Sequence, residues 1–418
     1  MTRPDPARPG RIVVAGGGLA GLRTVEELRA RGYAGEVTLV AAENRPPYDR
    51  PPLSKRLLAG EISDTTLRDD WAALDVSLRL GETAVGLDGE AAWGEGSAGV
   101  GRGGGGEVGG VLRTDRGEHG YDRLVLATGA TPVALPGPGP QRFLRTLDDA
   151  LALRERLRPG LRLAIVGAGW IGAELATAAA ARGCQVTVVE AGDAPLATAL
   201  GAEVGAYTAP WYEKAGVELA LNQPVASVQP GGLALAGGGW LAADEIVTAV
   251  GVRPAVSWLE DSGIALDRGV AVDEQLRTTV AGVYAAGDCA AFWSMRFNRR
   301  LRTEHWDVAL RAPAVLAQNL LGAAEPYDPV PYFWSEQFGR MVQYLGFHGG
   351  ADQLVLRGDP AGPKWSACWL SGGVLVALLT VGIPRDMAQG RRLIETAAAV
   401  DPARIADPDI PVRATAAD

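Results

Sequence analysis

Arg11-Ile-Val-Val-Ala-Gly16-Gly-Gly18-Leu-Ala-Gly21 is the stretch on which the fold turns. A short apolar run leads into a GxGxxG turn, and the alanine- and leucine-rich segment after it reads as a helix. A second apolar run, Val37-Thr-Leu-Val40, follows that helix. The pattern returns in Leu161-Arg-Leu-Ala-Ile-Val-Gly167-Ala-Gly169-Trp-Ile-Gly172 and Val186-Thr-Val-Val189. Strand, glycine turn, helix, strand is the βαβ unit of a dinucleotide-binding fold. One GxGxxG is a weak signal; two in the same setting, each with an acid near the second strand, are a strong one.

The three glycines of each turn have separate tasks. The first permits a sharp turn, the second lets backbone approach a pyrophosphate, and the third lets helix pack against strand. The helix N-terminus then offers free N–H groups and the positive end of its dipole to the phosphates. Two such turns imply two dinucleotides, or one dinucleotide and a degenerate repeat; glycines serving packing alone are the plainer alternative. Glu190 ends the second strand of the second unit, where a carboxylate accepts from a ribose 2′-hydroxyl and repels the 2′-phosphate of NADP. No Arg follows in Ala191-Gly192-Asp193, so NADH is expected over Gly167, Gly169, Trp170, Ile171 and Gly172. Glu43, just past Val40, is the corresponding acid of the first unit.

The rest of the chain sets bounds. Its 418 residues suggest about three domains at roughly 150 residues each. Forty Lys and Arg against 49 Asp and Glu give a net charge of −9, which argues against a nucleic-acid binder. The cysteines are Cys184, Cys289 and Cys368, with no CxxC pair. A zinc ribbon, a thioredoxin-type dithiol and a cysteine-ligated iron–sulfur cluster are thereby excluded, and no metal site is expected. Met1–Gly10 is polar and proline-rich, unlike a signal peptide, and apolar stretches such as Gly373–Gly382 are too short to span a bilayer. A cytoplasmic protein without a membrane segment is expected.

Tyr121-Asp-Arg-Leu-Val-Leu-Ala-Thr-Gly129 reads as a strand entering a tight turn, and Ala243-Asp-Glu-Ile-Val-Thr-Ala-Val-Gly251 repeats it after the second βαβ unit. From Gly94 to Gly110, ten of seventeen residues are glycine, too many for a helix or well-packed strand. A flexible hairpin tip between strands near Thr83–Leu87 and Val111–Thr114 is expected there. After about Pro326 come aromatic residues and strands at Met341–Phe347, Gln353–Leu356, Trp365–Trp369 and Val374–Thr380, then a helix near Arg385–Ala399. The fold class is α/β: two Rossmann-like dinucleotide-binding domains plus an α+β C-terminal domain.

Arg45-Pro-Pro-Tyr48-Asp-Arg50-Pro-Pro52-Leu-Ser-Lys55, Gly282-Val-Tyr-Ala-Ala-Gly287-Asp288-Cys-Ala, Glu304-His305-Trp306 and Pro331-Tyr-Phe-Trp334-Ser follow one another along the chain. In this order they resemble the FAD-dependent NADH:ferredoxin reductases of bacterial oxygenase and cytochrome P450 systems. The resemblance runs from Arg11 to about Asp409, and the Gly94–Gly110 stretch is its main departure. It implies a glutathione-reductase-like arrangement: an FAD domain over 1–113 and 244–324, an NAD domain over 114–243 and a C-terminal domain over 325–418.

The resemblance also implies roles. FAD would lie on Gly16, Gly18, Leu19, Ala20 and Gly21, with its adenosine ribose at Glu43. Ala127, Thr128, Gly129, Gly287 and Asp288 would hold its middle, with Glu304, His305 and Trp306 near its ring. Arg50 and Lys55 would lie along the flavin, although a solvated loop is the ordinary setting of such cations. Glu174 would order the nicotinamide with Lys55, and Gly251 would border the NAD; a carboxylate favoured by the helix dipole is the simpler role for Glu174. Lys55, Glu174 and Trp334 are the catalytic candidates. Trp334 is expected against the isoalloxazine, Trp306 equally there or in the core, and His305 as structural or flavin-edge.

The expected reaction carries electrons from NADH through FAD to a separate [2Fe–2S] ferredoxin. A reductase of a small molecule or of rubredoxin, and a flavoprotein whose redox state controls partner binding, are the alternatives. The expected state is a monomer or weak homodimer. Arg296, Arg299, Arg300 and Arg302 form an acid-free basic stretch, expected to steer an acidic ferredoxin or else to be an ordinary solvated loop.

Overall fold

The structure is a computed structural model that describes residues 9–88 and 109–417. They fall into two compact units: the described residues of Met1–Asp49, Thr66–Thr131 and Arg253–Pro329 form one, and those of Arg50–Thr65, Pro132–Val252 and Val330–Asp418 the other.

The first unit is built on a five-stranded sheet in the order Val283–Ala285, Arg123–Leu126, Arg11–Ala15, Glu36–Ala41, Ser77–Leu80, parallel throughout. Ile12, Val13, Val14 and Ala15 are all buried, as expected of a parallel strand covered on both faces. Helix Leu19–Ala30 buries Ala20, Leu22, Val25 and Leu28 and turns Arg23 outward to Glu26 and Glu27. Ala15 pairs with Val40 on one side and Leu126 on the other. The Gly16 turn therefore stands at the carboxyl ends of three strands, where ligands bind in open α/β sheets.

Strands Ala84–Asp88 and Gly110–Thr114 pair antiparallel, as expected of the flanks of the glycine-rich stretch. Apart from Gly109 and Gly110, the 94–110 stretch lies outside the described residues.

The second unit repeats the first sheet's neighbour order: Glu218–Ala220, Gln185–Val189, Arg162–Val166, Glu245–Thr248, again all parallel. It also contains a five-stranded antiparallel sheet, Tyr332–Gln337, Arg340–Gly346, Val374–Val381, Trp365–Ser371, Gln353–Gly358, with helix Pro384–Glu395. Four of its strands and the helix lie where the sequence places them. Tyr332–Gln337 is additional, and its Tyr-Phe-Trp run carries no polar alternation to announce a strand.

Strand pairing moves the expected domain boundaries. Arg123–Leu126, assigned above to the NAD domain, belongs to the first sheet. Glu245–Thr248, assigned to the FAD domain, pairs with Arg162–Val166. Both strands enter a glycine turn from an apolar run, so neither sequence states which sheet it joins. Residues 50–65 fall in the second unit, because Leu58 is buried with Leu153, Leu157 and Leu175. No helix among the described residues is long and apolar enough to cross a membrane, and no described group of three or more His, Cys, Asp or Glu could hold a metal ion.

Candidate functional site

The two glycine turns make the same demands at their first and third glycines. Gly16 and Gly167 have φ of +128° and +101°, and a Cβ on either would meet the Ala127 or Ala249 carbonyl oxygen at 2.0 or 2.5 Å. A Cβ on Gly21 or Gly172 would meet the first glycine's carbonyl oxygen at 1.9 or 2.0 Å. The middle glycines differ: a Cβ on Gly18 or Gly169 would meet nothing within 4 Å. The protein's own packing does not require them. Both are helix N-caps in extended backbone, no side chain caps either helix, and neither first turn carries an acid. The space and the first-turn N–H groups of Leu19, Ala20, Trp170 and Ile171 thus suit a pyrophosphate.

This separates fold from binding. Gly169→Val should fold normally and weaken NADH binding by about tenfold or more, which is ~1.4 kcal/mol. Gly172→Val should fail to seat its helix. Titration of NADH against both variants checks this, and unaltered affinity in Gly169→Val would remove that glycine from the nucleotide site.

Each acid is anchored. Glu190 accepts from the Ala168 N–H and the Gly192 N–H, both at 2.8 Å, which leaves carboxylate lone pairs for a sugar hydroxyl. Glu43 accepts from the Tyr48 hydroxyl at 2.6 Å. In the first unit, Thr128 Oγ1 donates to the Ala255 carbonyl at 2.9 Å, and Gly129 and Gly287 take positive φ. A Cβ on Gly287 would lie 3.0 Å from that of Ala20, so the Gly287-Asp288 turn abuts the N-terminus of helix Leu19–Ala30. Trp306 Nε1 donates to Asp49 Oδ1 at 2.7 Å, tying helix Trp306–Leu320 to the proline-rich loop.

His305 caps that helix. Burial pushes its pKa down to about 4, against the upward pull of Asp288. The imidazole is therefore neutral at pH 7 and holds no proton for general-acid work. Because the folded state disfavours the proton, His305 lowers stability as pH falls from about 6.5 towards about 4 and is without effect above that window. With only three histidines in the chain, NMR titration should find one midpoint near 4 that vanishes in His305→Gln. A midpoint near 6.5 for His305 would contradict its burial.

In the second unit, Glu174 rises from helix Trp170–Ala181 with its side chain 4% exposed. Its Oε2 accepts from Lys55 Nζ at 2.8 Å and from Ser54 Oγ, and its Oε1 from Ser335 Oγ at 2.5 Å. Lys55 is itself only 15% exposed. A buried carboxylate is tolerated when so paired and hydrogen-bonded. Arg50 donates to the Arg145 carbonyl. Trp334 lies near-parallel to Tyr332, with centroids 6.3 Å apart, on the strand face opposite Ser335. Trp170 meets Phe333 edge-on at 4.5 Å. Gly251 takes a φ of +106° beside an exposed Val250.

Arg50, Lys55 and Trp334 thus belong to the second unit, with the expected NAD residues. Ser54, Ser335 and Ala249 escaped the sequence reading. The repeat of the Ala127 turn could have identified Ala249; no local signal marks the two serines. The four-arginine stretch also changes. Arg300 donates to the Val272 and Ala291 carbonyls at 2.6 and 2.8 Å, and Arg302 pairs with Glu304. Arg296 and Arg299 remain exposed, beside Trp293 (36% exposed) and Met295 (52%).

The chain matches the family model described as pyridine nucleotide-disulphide oxidoreductase over residues 10–312, and that of the reductase C-terminal domain over 332–416. It is 35% identical to the anthranilate 1,2-dioxygenase system ferredoxin–NAD(+) reductase component of Burkholderia cepacia, covering 96% of this chain and 97% of that one. The solved structure of Fdr9 is 49% identical with a TM-score of 0.89, covering 96% and 99% of the two chains. The reductase in a covalent putidaredoxin reductase–putidaredoxin complex is 28% identical with a TM-score of 0.88, covering 97% of each chain. Duplicated glycine turns, duplicated sheet order and full-length likeness agree: the chain belongs to the pyridine nucleotide-disulphide oxidoreductase family and is an FAD-dependent oxidoreductase that uses NAD(H).

Proposed function

We propose that this enzyme is an NADH:ferredoxin oxidoreductase that supplies electrons to a separate [2Fe–2S] ferredoxin serving an oxygenase or a cytochrome P450. The observation that carries the reading is the state of the cysteines. Cys184, Cys289 and Cys368 are all buried and free, and burial raises each thiol's pKa, so none is poised for disulfide chemistry. Electrons must leave for an outside acceptor. Bound FAD supplies the conversion between a two-electron donor and one-electron carriers.

The residues divide the work. Gly16–Gly21, Glu43, Ala127–Gly129 and Gly287–Asp288 hold FAD, and His305 and Trp306 shape that site without donating a proton. Gly167–Gly172, Glu190 and Gly251 hold NADH, and Glu190 disfavours a 2′-phosphate. Glu174 fixes Lys55 as an oriented cation for the transfer, Arg50 braces the same loop, and Trp334 supplies an aromatic wall. Arg296 and Arg299, with Trp293 and Met295, present a cationic and apolar tip to an acidic ferredoxin. The test is steady-state reduction of cytochrome c by NADH: it should depend on added ferredoxin and weaken with salt. A rate that no ferredoxin raises above background would refute the reading.

A further inference from the structure

Of the 40 basic side chains only three are lysines, Lys55, Lys214 and Lys364, and Lys55 alone of these is partly buried, against Glu174. Lysine is a point charge on a flexible stem, whereas arginine orients itself through its fork. A lysine at a reaction centre therefore depends on its partner for direction. That partner divides its two oxygens. Oε2 holds Lys55 and Ser54, while Oε1 is held by Ser335 alone among the described residues.

Ser335 is in turn fixed. Its Oγ accepts from Gln337 Nε2 at 3.1 Å while donating to Glu174, so its hydroxyl is committed in both directions. Ser335 and Gln337 share one face of strand Tyr332–Gln337 and are 1% and 0% exposed. A one-residue slip of that strand would turn Ser335 away and Trp334 inward. Both registers cannot serve, so the strand that presents Trp334 on one face must present Ser335 to Glu174 on the other.

We infer that Ser335 is a positioning residue of the reaction: by holding Glu174 Oε1 it stops the carboxylate from turning and thereby fixes Lys55. This deepens the NADH oxidoreductase reading above and rests on it. Without the Ser335 hydroxyl the carboxylate loses the one bond that Oε1 has among the described residues and rotates, which leaves Lys55 Nζ only its longer contact to the Pro51 carbonyl at 3.3 Å, while the nucleotide sites stay intact.

The test uses the flavin-loaded enzyme as wild type, Ser335→Ala and Ser335→Thr. Amine acylation read by mass spectrometry should label Lys55 more slowly than Lys214 and Lys364 in wild type. In Ser335→Ala, Lys55 labelling should rise about tenfold, the scale of one lost charge-assisted bond, with Lys214 and Lys364 as unchanged references. The limiting rate of flavin reduction should fall by a similar factor, the half-saturating NADH concentration should move less than about twofold, and Ser335→Thr should restore both. If Ser335→Ala does not retain flavin, Ser335→Cys, close in size but a weaker donor, is measured in the same two ways. Lys55 labelling and reduction rate both unchanged on loss of the hydroxyl would overturn the inference alone. A wild type that NADH does not reduce would overturn the underlying reading, and the inference with it.

Discussion

Lys55→Met should slow reduction of the enzyme-bound flavin by saturating NADH about 100-fold, the usual cost of removing one preorganised electrostatic donor. Lys55 is held 2.8 Å from a buried carboxylate, so it cannot drift to solvent as an exposed lysine does. Water screens such a pair poorly, so the lysine is kept as an oriented charge. Removing Lys55 also leaves Glu174 with Ser54 and Ser335 as its remaining partners within the unit. Glu174→Gln should produce most of the same loss. Because the two side chains act as a unit, Lys55→Met/Glu174→Gln should be little slower than either single variant. Stopped-flow traces of flavin bleaching read all three. Losses that multiply would mean that the residues act separately, and an unaffected Lys55→Met would remove the lysine from the reaction.

Arg357→Met should be the most destabilising single change in the C-terminal sheet, by about 3–5 kcal/mol. Arg357 and Asp386 are 2% and 3% exposed and meet at 2.8 Å. The guanidinium also donates to the Ile405, Asp407, Pro408 and Ile410 carbonyls. Five donors meet five acceptors, which is all a guanidinium can offer. Methionine would match its length but leave a buried carboxylate and four carbonyls without this partner. Lysine, with three donors and no plane, should rescue little. Asp386 lies in the first turn of helix Pro384–Glu395, where the helix dipole favours the anion but does not replace the arginine. Urea unfolding followed by tryptophan fluorescence measures the loss, and early proteolysis near residues 401–417 should accompany it. A loss under about 1 kcal/mol, the range of exposed pairs, would show that the network holds nothing.

What the sequence disclosed and what it hid follow from the range of each interaction. The glycine turns were legible because their requirement is local: Gly16 and Gly167 need positive φ, and Gly21 and Gly172 have no room for a Cβ. The C-terminal strands were legible from their apolar runs. The boundaries were not, because Arg123–Leu126 and Glu245–Thr248 read alike and differ only in the sheet that receives them. Lys55 and Glu174 were brought together by family resemblance, and the structure sets them at hydrogen-bonding distance. Ser335 could not be found, since its partner is 161 positions away in the chain. The neighbours of the basic stretch were hidden for the same reason: it carries no acid of its own, yet Asp267, just before strand Val270–Val272, approaches Arg300 at 3.5 Å.

The central claim, that this enzyme passes electrons from NADH to one-electron ferredoxin carriers, is tested most directly by counting. Under anaerobic conditions, a limiting amount of NADH is added to a catalytic amount of enzyme and an excess of oxidised [2Fe–2S] ferredoxin. Two ferredoxins should be reduced for each NADH consumed, the ratio that a two-electron donor and one-electron carriers require. NADH consumed with no ferredoxin reduced, or a flavin that NADH reduces but ferredoxin does not reoxidise, would contradict the account.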